Sequence, residues 1–231
     1  MRTLGLLGGM SCESTTIYYR AINEYVRALS GSPLSSAKIL LYSFNFEEVA
    51  DLQHKGEWDQ LGAVLAERAV ALERAGADGV AICTNTMHLL APAVIAELKV
   101  PLLHIVPPLA AAIKRLGVDR VGLLGTRFTM KEGFIKQPLL EDHGIETVVP
   151  EGESADLVHR MIYAELTRGE VRPESSAALR RVIDELRQRS AGAVILGCTE
   201  LGLAVRQEDV GLHLLDTAQI HAKYLADWSL E

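Results

Sequence analysis

Two short stretches of this chain place a cysteine-threonine pair at the end of an apolar run: Ile82-Cys83-Thr84-Asn85-Thr86-Met87-His88 and Leu196-Gly197-Cys198-Thr199-Glu200. Each run reads as a buried strand, so each pair falls where a strand ends and a helix begins. Proton-transfer groups placed on opposite faces of one carbon are what inversion of a stereocentre without a cofactor requires. On these residues alone the register stays open, because either Cys83 or Thr84 can be taken as the counterpart of Cys198.

The elements that would position them alternate between short β-rich apolar runs and longer amphipathic segments, the pattern of βα units around a parallel sheet. Strands are expected at 3–7, 39–43, 79–82, 102–105, 121–124, 146–149, 193–196 and 212–215, with helices at 13–29, 58–75, 91–99, 109–116, 131–143, 155–167, 174–190 and 218–228. The chain also repeats itself. Gly5-Leu6-Leu7-Gly8 recurs as Gly122-Leu123-Leu124-Gly125 at an offset of 117 (122 − 5), and Ala75-Gly76-Ala77 recurs as Ala191-Gly192-Ala193 at 116 (191 − 75). The Cys-Thr pairs differ by 115 (198 − 83). The expected fold class is therefore α/β with two pseudo-symmetric lobes, each a parallel sheet flanked by helices: 1–106 plus 212–231, and 107–211, with Pro107-Pro108 as the crossing point. Ligands of open parallel sheets bind beyond the carboxyl ends of the strands, which puts the expected active site in the interlobe cleft.

Composition narrows the function classes. With 231 residues, 48% of them hydrophobic, the chain can bury a sizeable core in each lobe. Its net charge of −7 carries no basic block, so no footprint for nucleic acid is present. No run is long enough to span a membrane, and the apolar start of the chain is too short for a signal core. The three cysteines form neither a disulfide framework nor paired zinc-ligand spacing, and the seven histidines show no ligand spacing, so no metal is expected. These features favour a cytoplasmic protein with free thiols that acts on a small molecule, with a homodimer left open.

The opening Gly5-Leu6-Leu7-Gly8-Gly9-Met10, the Asn85-Thr86-Met87-His88 segment and the Gly197-Cys198-Thr199-Glu200 segment together resemble the cofactor-independent aspartate/glutamate racemases, in the family's order and over the whole chain. The resemblance implies two pseudo-symmetric α/β lobes, no cofactor, an amino-acid substrate, and one thiol from each lobe on either side of the α-carbon. This chain departs from that pattern. The usual first-lobe motif is Cys-Asn-Thr-x-His, and anchoring on Asn85, Thr86 and His88 puts Thr84 in the cysteine slot, with Cys83 one residue earlier as the alternative catalytic residue.

The departure changes the chemistry. A free thiol ionises near a pKa of about 8.5, and a helix N-terminus can lower it, so Cys198 is expected to act as a thiolate base. A threonine hydroxyl, ionising like water far above the range of a thiol, forms its anion at a further cost of roughly 10 kcal/mol, which leaves Thr84 as a proton donor to a strongly basic carbanion. The resemblance implies that the second-lobe cysteine works on the L-substrate, so turnover is expected to favour L to D.

Around this pair, backbone N–H groups opening the following helices are expected to hold the α-carboxylate, aided by Asn85, Thr86 and Thr199. Met10 in the first glycine turn, Thr126 in the matching turn of the second lobe, and Gln53 in a loop after Asn45 complete the substrate-binding set. Several of these residues have simpler readings: Thr199 as a cap, Glu200 as a helix-terminus charge, Cys12 as packing, and His88 as a residue that orients its turn or only satisfies it. Arg127 and Arg168 stand as unplaced partners for a distal carboxylate. The leading function is racemisation of L-aspartate or L-glutamate. A broad-specificity racemase, a maleate isomerase, hydantoin racemase or decarboxylase of related fold, and a non-catalytic binding protein are the alternatives.

Overall fold

The computed structural model describes residues 1–231. The chain divides into two compact units, Met1–Ile105 with His221–Glu231, and Val106–Ile220.

The first unit runs β1 (Thr3–Gly8), α1 (Cys12–Ser30), β2 (Lys38–Ser43), α2 (Phe46–Lys55), α3 (Trp58–Arg74), β3 (Gly79–Ile82), a 3₁₀ turn Thr86–Leu90, and α4 (Ala91–Glu97). Its sheet is parallel in the order β2-β1-β3. β3 is buried throughout, and β1 is buried from its second residue on, so both read as unbroken apolar runs; the edge strand β2 is half exposed. Leu7, Leu61, Leu65, Val80, Ile82 and Val94 lie at the centre of this core.

The second unit runs α5 (Val106–Arg115), β4 (Arg120–Leu124), α6 (Arg127–Lys131), α7 (Gly133–Glu141), β5 (Glu146–Val148), α8 (Gly152–Ala164), a 3₁₀ turn Leu166–Arg168, α9 (Pro173–Gln188), β6 (Ala193–Leu196), α10 (Leu201–Ala204), β7 (His213–Asp216) and α11 (Thr217–Leu230), the last continuing into the first unit. The parallel order β5-β4-β6-β7 reproduces β2-β1-β3 strand for strand and adds β7. No helix is long and apolar enough to cross a membrane.

Four expectations change. The strand expected over 212–215 was placed in the first lobe, but β7 pairs with β6, Val194 beside Leu214, so the first lobe regains the chain only at His221. The strand expected at 102–105 reduces to one bridge between Val80 and Leu102, because Pro101 has no N–H to extend the ladder and α5 begins at Val106. Pro107 and Pro108 sit in the first helical turn of α5, where a missing N–H is harmless. The segment after Asn45 is the helix α2, capped by the Asn45 side chain accepting from the Glu47 N–H at 3.2 Å and closed by Gly56 at φ 72°.

Gly9 and Gly31 both adopt positive φ, 82° and 68°, but their surroundings differ. A Cβ on Gly31 meets nothing within 4 Å, whereas one on Gly9 collides with the Phe44 backbone N and O. Gly31→Ala should therefore cost about 1 kcal/mol, the left-handed penalty alone. Gly9→Ala should cost several times as much, read as the larger drop in urea midpoint; equal drops would contradict the packing of the first strand-to-helix turn.

Candidate active site

The N–H groups that follow β3 and β6 settle which residues correspond. Cys83 N–H donates to Leu7 O of β1 at 2.9 Å, and Gly197 N–H donates to Leu124 O of β4 at 2.7 Å. Cys83 thus matches Gly197, and Thr84 matches Cys198. Exposure follows the same register: Cys83 is 1% exposed and Gly197 is buried, Thr84 and Cys198 are partly exposed, and Asn85 and Thr199 are buried again. Burial pushes the Cys83 thiol far above its ordinary range, the setting of a core cysteine.

In the second lobe, Cys198 Sγ donates to Glu200 Oε2 at 3.0 Å, and Thr199 Oγ1 donates to the same oxygen at 2.6 Å. Glu200 is 6% exposed. Desolvation first, then the charge and hydrogen bond of Glu200, with a further push from Asp216, hold the Cys198 pKa well above its ordinary value. The expectation of a thiolate lowered by a helix N-terminus is therefore overturned. α10 is a single four-residue turn, and its field is outweighed by a carboxylate against the sulfur. Asp216 Oδ1 accepts from the N–H groups of Ala218 and Gln219 at 2.9 and 3.1 Å, opening α11. Tyr163 of α8 also lies within the field of Cys198 and Glu200, which together with burial raises its pKa.

In the first lobe, the 3₁₀ turn brings His88 back onto Thr84. Its Nε2 accepts from the Ile105 N–H at 3.4 Å, so Nδ1 carries the proton and donates to Thr84 O at 2.8 Å. His88 therefore ties the Thr84 turn to the segment before α5. Behind it lie His104, with ring centroids 4.5 Å apart, and His221, 5.9 Å away. His221 accepts from the Tyr18 hydroxyl at Nδ1 (3.0 Å) and donates from Nε2 to Leu103 O (2.8 Å). Burial lowers all three pKa values, those of His104 and His221 to about 4, so the cluster is neutral. Spacings of 16 and 117 residues (104 − 88, 221 − 104) gave no sequence signal for it.

Other expected residues fall as follows. Met10 is 5% exposed and its side chain packs in the first-lobe core. Gln53 lies on α2, not in a loop, and is partly exposed. Thr126 caps α6, accepting from the Thr129 N–H at 3.3 Å, and Thr129 is fully buried. Thr86 is partly exposed at the start of the 3₁₀ turn. Arg168 is exposed in the 3₁₀ turn after α8. Sequence reasoning missed two features here: Glu200 as the partner of the thiol, and Tyr163, which reaches the site from a helix 35 residues earlier (198 − 163).

The model of the Asp/Glu/hydantoin racemase family matches residues 7–225. The chain belongs to that family. A crystal structure assigned to the Asp/Glu racemases, from Yersinia pestis, is 45% identical over 100% of both chains with a TM-score of 0.95. An aspartate racemase homologue from Pyrococcus horikoshii is 35% identical over 100% of both chains, with a TM-score of 0.88. The broad-specificity amino-acid racemase of Bacillus subtilis is 26% identical over 224 residues, 95% of each chain. The enzyme is thus an isomerase of the racemase type, and its two strand-end turns carry chemically unlike residues at matching positions.

Two outcomes follow for this racemase. In a Cys12→Ser background, which removes the exposed thiol, the pH midpoint for alkylation of Cys198 should move down in Glu200→Gln, because the carboxylate raises it. An unmoved or higher midpoint would remove Glu200 as the partner. The histidine cluster sets the second. Its members are neutral when folded and titrate near about 6.5 when unfolded, so the unfolded chain binds more protons below that pH. Stability should fall as pH drops from about 6.5 to about 4, by up to about 1.4 kcal/mol per pH unit for each histidine, and His104→Asn should flatten the slope. Urea unfolding across that window measures it; a flat profile would mean the cluster is not buried in its neutral form.

Proposed function

We propose that this chain racemises L-aspartate or L-glutamate without a cofactor, with Cys198 removing the α-proton and Thr84 returning one to the opposite face. The Cys198–Glu200 contact carries this reading: a thiol that is neutral at rest, with a buried carboxylate 3.0 Å from its sulfur, is arranged to hand over its proton when a base is needed. In the proposed sequence, Glu200 takes the thiol proton and the thiolate takes the α-proton. The carboxyl group of the substrate holds the charge as an enediolate. Thr84 then gives its hydroxyl proton to the α-carbon and recovers one from solvent, while Glu200 releases to solvent the proton it took from the thiol. The carbanion is more basic than an alkoxide, so a hydroxyl suffices as donor, although it would be a poor base.

N–H groups of the turns after Thr84 and Cys198, with Asn85, Thr86 and Thr199, are suited to the carboxylate and to the charge that develops on it. With the Met10 side chain taken up by the core, only its backbone remains for a ligand. Enantiomers are equal in free energy in an achiral solvent, so kcat/KM must be the same in both directions, and any bias toward L to D sits in kcat with an offsetting KM. Similarity to the Bacillus subtilis enzyme supports a broad-specificity reading as the second choice.

Deuterium incorporation at the α-carbon, followed with resolution of the enantiomers, tests the roles. Cys198→Ala should abolish exchange into the L-substrate. Thr84→Ala should lose inversion by about 100-fold or more while exchange with retention of configuration survives, since Cys198 and Glu200 still shuttle a proton on one face. Inversion undiminished in Thr84→Ala, or abolished by Cys83→Ser instead, would sink the assignment.

A further inference from the structure

Thr84 is held through its backbone. The residue before it, Cys83, donates its N–H to Leu7 O at 2.9 Å, and the Thr84 carbonyl accepts from His88 Nδ1 at 2.8 Å. The Thr84 hydroxyl takes no hydrogen bond within the chain. A β-branched side chain has little freedom at χ1, so the place of Oγ1 follows from the place of the backbone that carries it. A proton donor has to meet the α-carbon at a definite distance and angle, and a displacement of about 1 Å can cost about 100-fold in rate.

His88 makes that hold with three contacts. Its N–H donates to Asn85 O at 3.0 Å, the first bond of the 3₁₀ turn, and its Nδ1–H takes the carbonyl one residue earlier, which lies outside that ladder. One residue thereby clamps two successive carbonyls. Nε2 accepts from the Ile105 N–H at 3.4 Å. The ring is 2% exposed, and burial, with the neighbouring imidazoles of His104 and His221, keeps it neutral. Neutrality fixes the direction of both bonds. With a single proton, an imidazole that accepts at Nε2 must donate at Nδ1, whereas a charged ring would set an N–H against the Ile105 N–H.

We propose that His88 is the positioning residue of the first lobe: through Thr84 O it holds the hydroxyl where it can reach the α-carbon, and so sets how often a deprotonated substrate is inverted instead of being returned to its original configuration. The proposal rests on the racemase reading above. A histidine with a structural role alone would support the lobe through both ring nitrogens and leave the stereochemical outcome unchanged.

Deuterium exchange into L-glutamate, resolved by enantiomer, gives the ratio of inversion to retention within one sample, and the two ring contacts can be restored separately. Asparagine carries its amide nitrogen as many bonds from Cα as Nδ1, and glutamine carries its amide oxygen as many as Nε2. His88→Leu should lower the ratio by about tenfold or more. His88→Asn should recover most of it by donating to Thr84 O, and His88→Gln should not. A ratio unchanged in His88→Leu, equal recovery by His88→Gln, or loss of inversion and retention in step in all three variants would overturn the positioning role alone. A wild type that exchanges neither L-glutamate nor L-aspartate would overturn the racemase reading as well, so the two failures are told apart.

Discussion

Each lobe of this racemase depends on one backbone contact: the N–H just past the third strand of the sheet donates to the last carbonyl of the central strand. Cys83 to Leu7 and Gly197 to Leu124 are that contact in the two lobes. It ends the ladder, and it fixes which residue comes next at the carboxyl edge, beyond the last residue that the sheet can bury. Because the side-chain direction alternates along extended backbone, a shift of one residue would put Cys83 at the edge and Thr84 in the core. The contact forbids that shift, so the residue that reaches the edge in the first lobe is a hydroxyl and the one in the second is a thiol.

The same position is then electrostatically opposite in the two lobes. Cys198 has Glu200 against its sulfur and Asp216 nearby, an acidic setting that keeps a proton on the thiol. Thr84 is anchored through its carbonyl by His88, and the histidines behind it are kept neutral by burial, so that side adds no fixed charge. Under the proposed roles, a setting that retains protons suits a group that exchanges them, and a neutral, rigid setting suits a donor that has only to be held in place. Thr84 and Cys198 thus differ in surroundings as well as in side chain.

Much of this was legible in the sequence because the central strands are buried on both faces. Runs such as Gly5-Leu6-Leu7 and Val194-Ile195-Leu196 stand out as unbroken apolar segments, and their repetition displayed the two lobes. β7 was equally visible as a strand, yet an apolar run reads the same whichever sheet it joins, and its pairing with β6 is a long-range fact. α2 was missed although its caps, Asn45 and Gly56, were in view, because only Val49 is buried and no apolar stripe marks it. At the site, anchoring on Asn85, Thr86 and His88 selected Thr84 over Cys83, in agreement with the strand-end register. The environment of Cys198 was misread, since the contact of Glu200 with a sulfur two residues earlier depends on turn geometry and not on helical spacing. Tyr163, whose pKa is raised by burial and by Cys198 and Glu200, comes from α8, a contribution that no local motif encodes.

The raised thiol pKa looks at first like a handicap for a base. Each unit of increase makes the thiolate about tenfold rarer at a given pH, or about 1.4 kcal/mol harder to form, while base strength improves the rate by less than the same factor. The balance changes when an amino acid binds under the proposed mechanism. Its ammonium group brings a positive charge into surroundings holding Glu200 and Asp216, and a cation beside a thiolate favours the charged form as strongly as a carboxylate opposes it. Under that mechanism proton transfer from Cys198 to Glu200 only moves one negative charge from oxygen to sulfur, so the substrate favours it to the extent that the ammonium group sits nearer the sulfur. The acidic setting therefore favours the thiol form of Cys198 in the free enzyme, and under the proposed mechanism the base forms only once substrate is bound, whereas a thiolate preformed at a helix N-terminus would be present throughout.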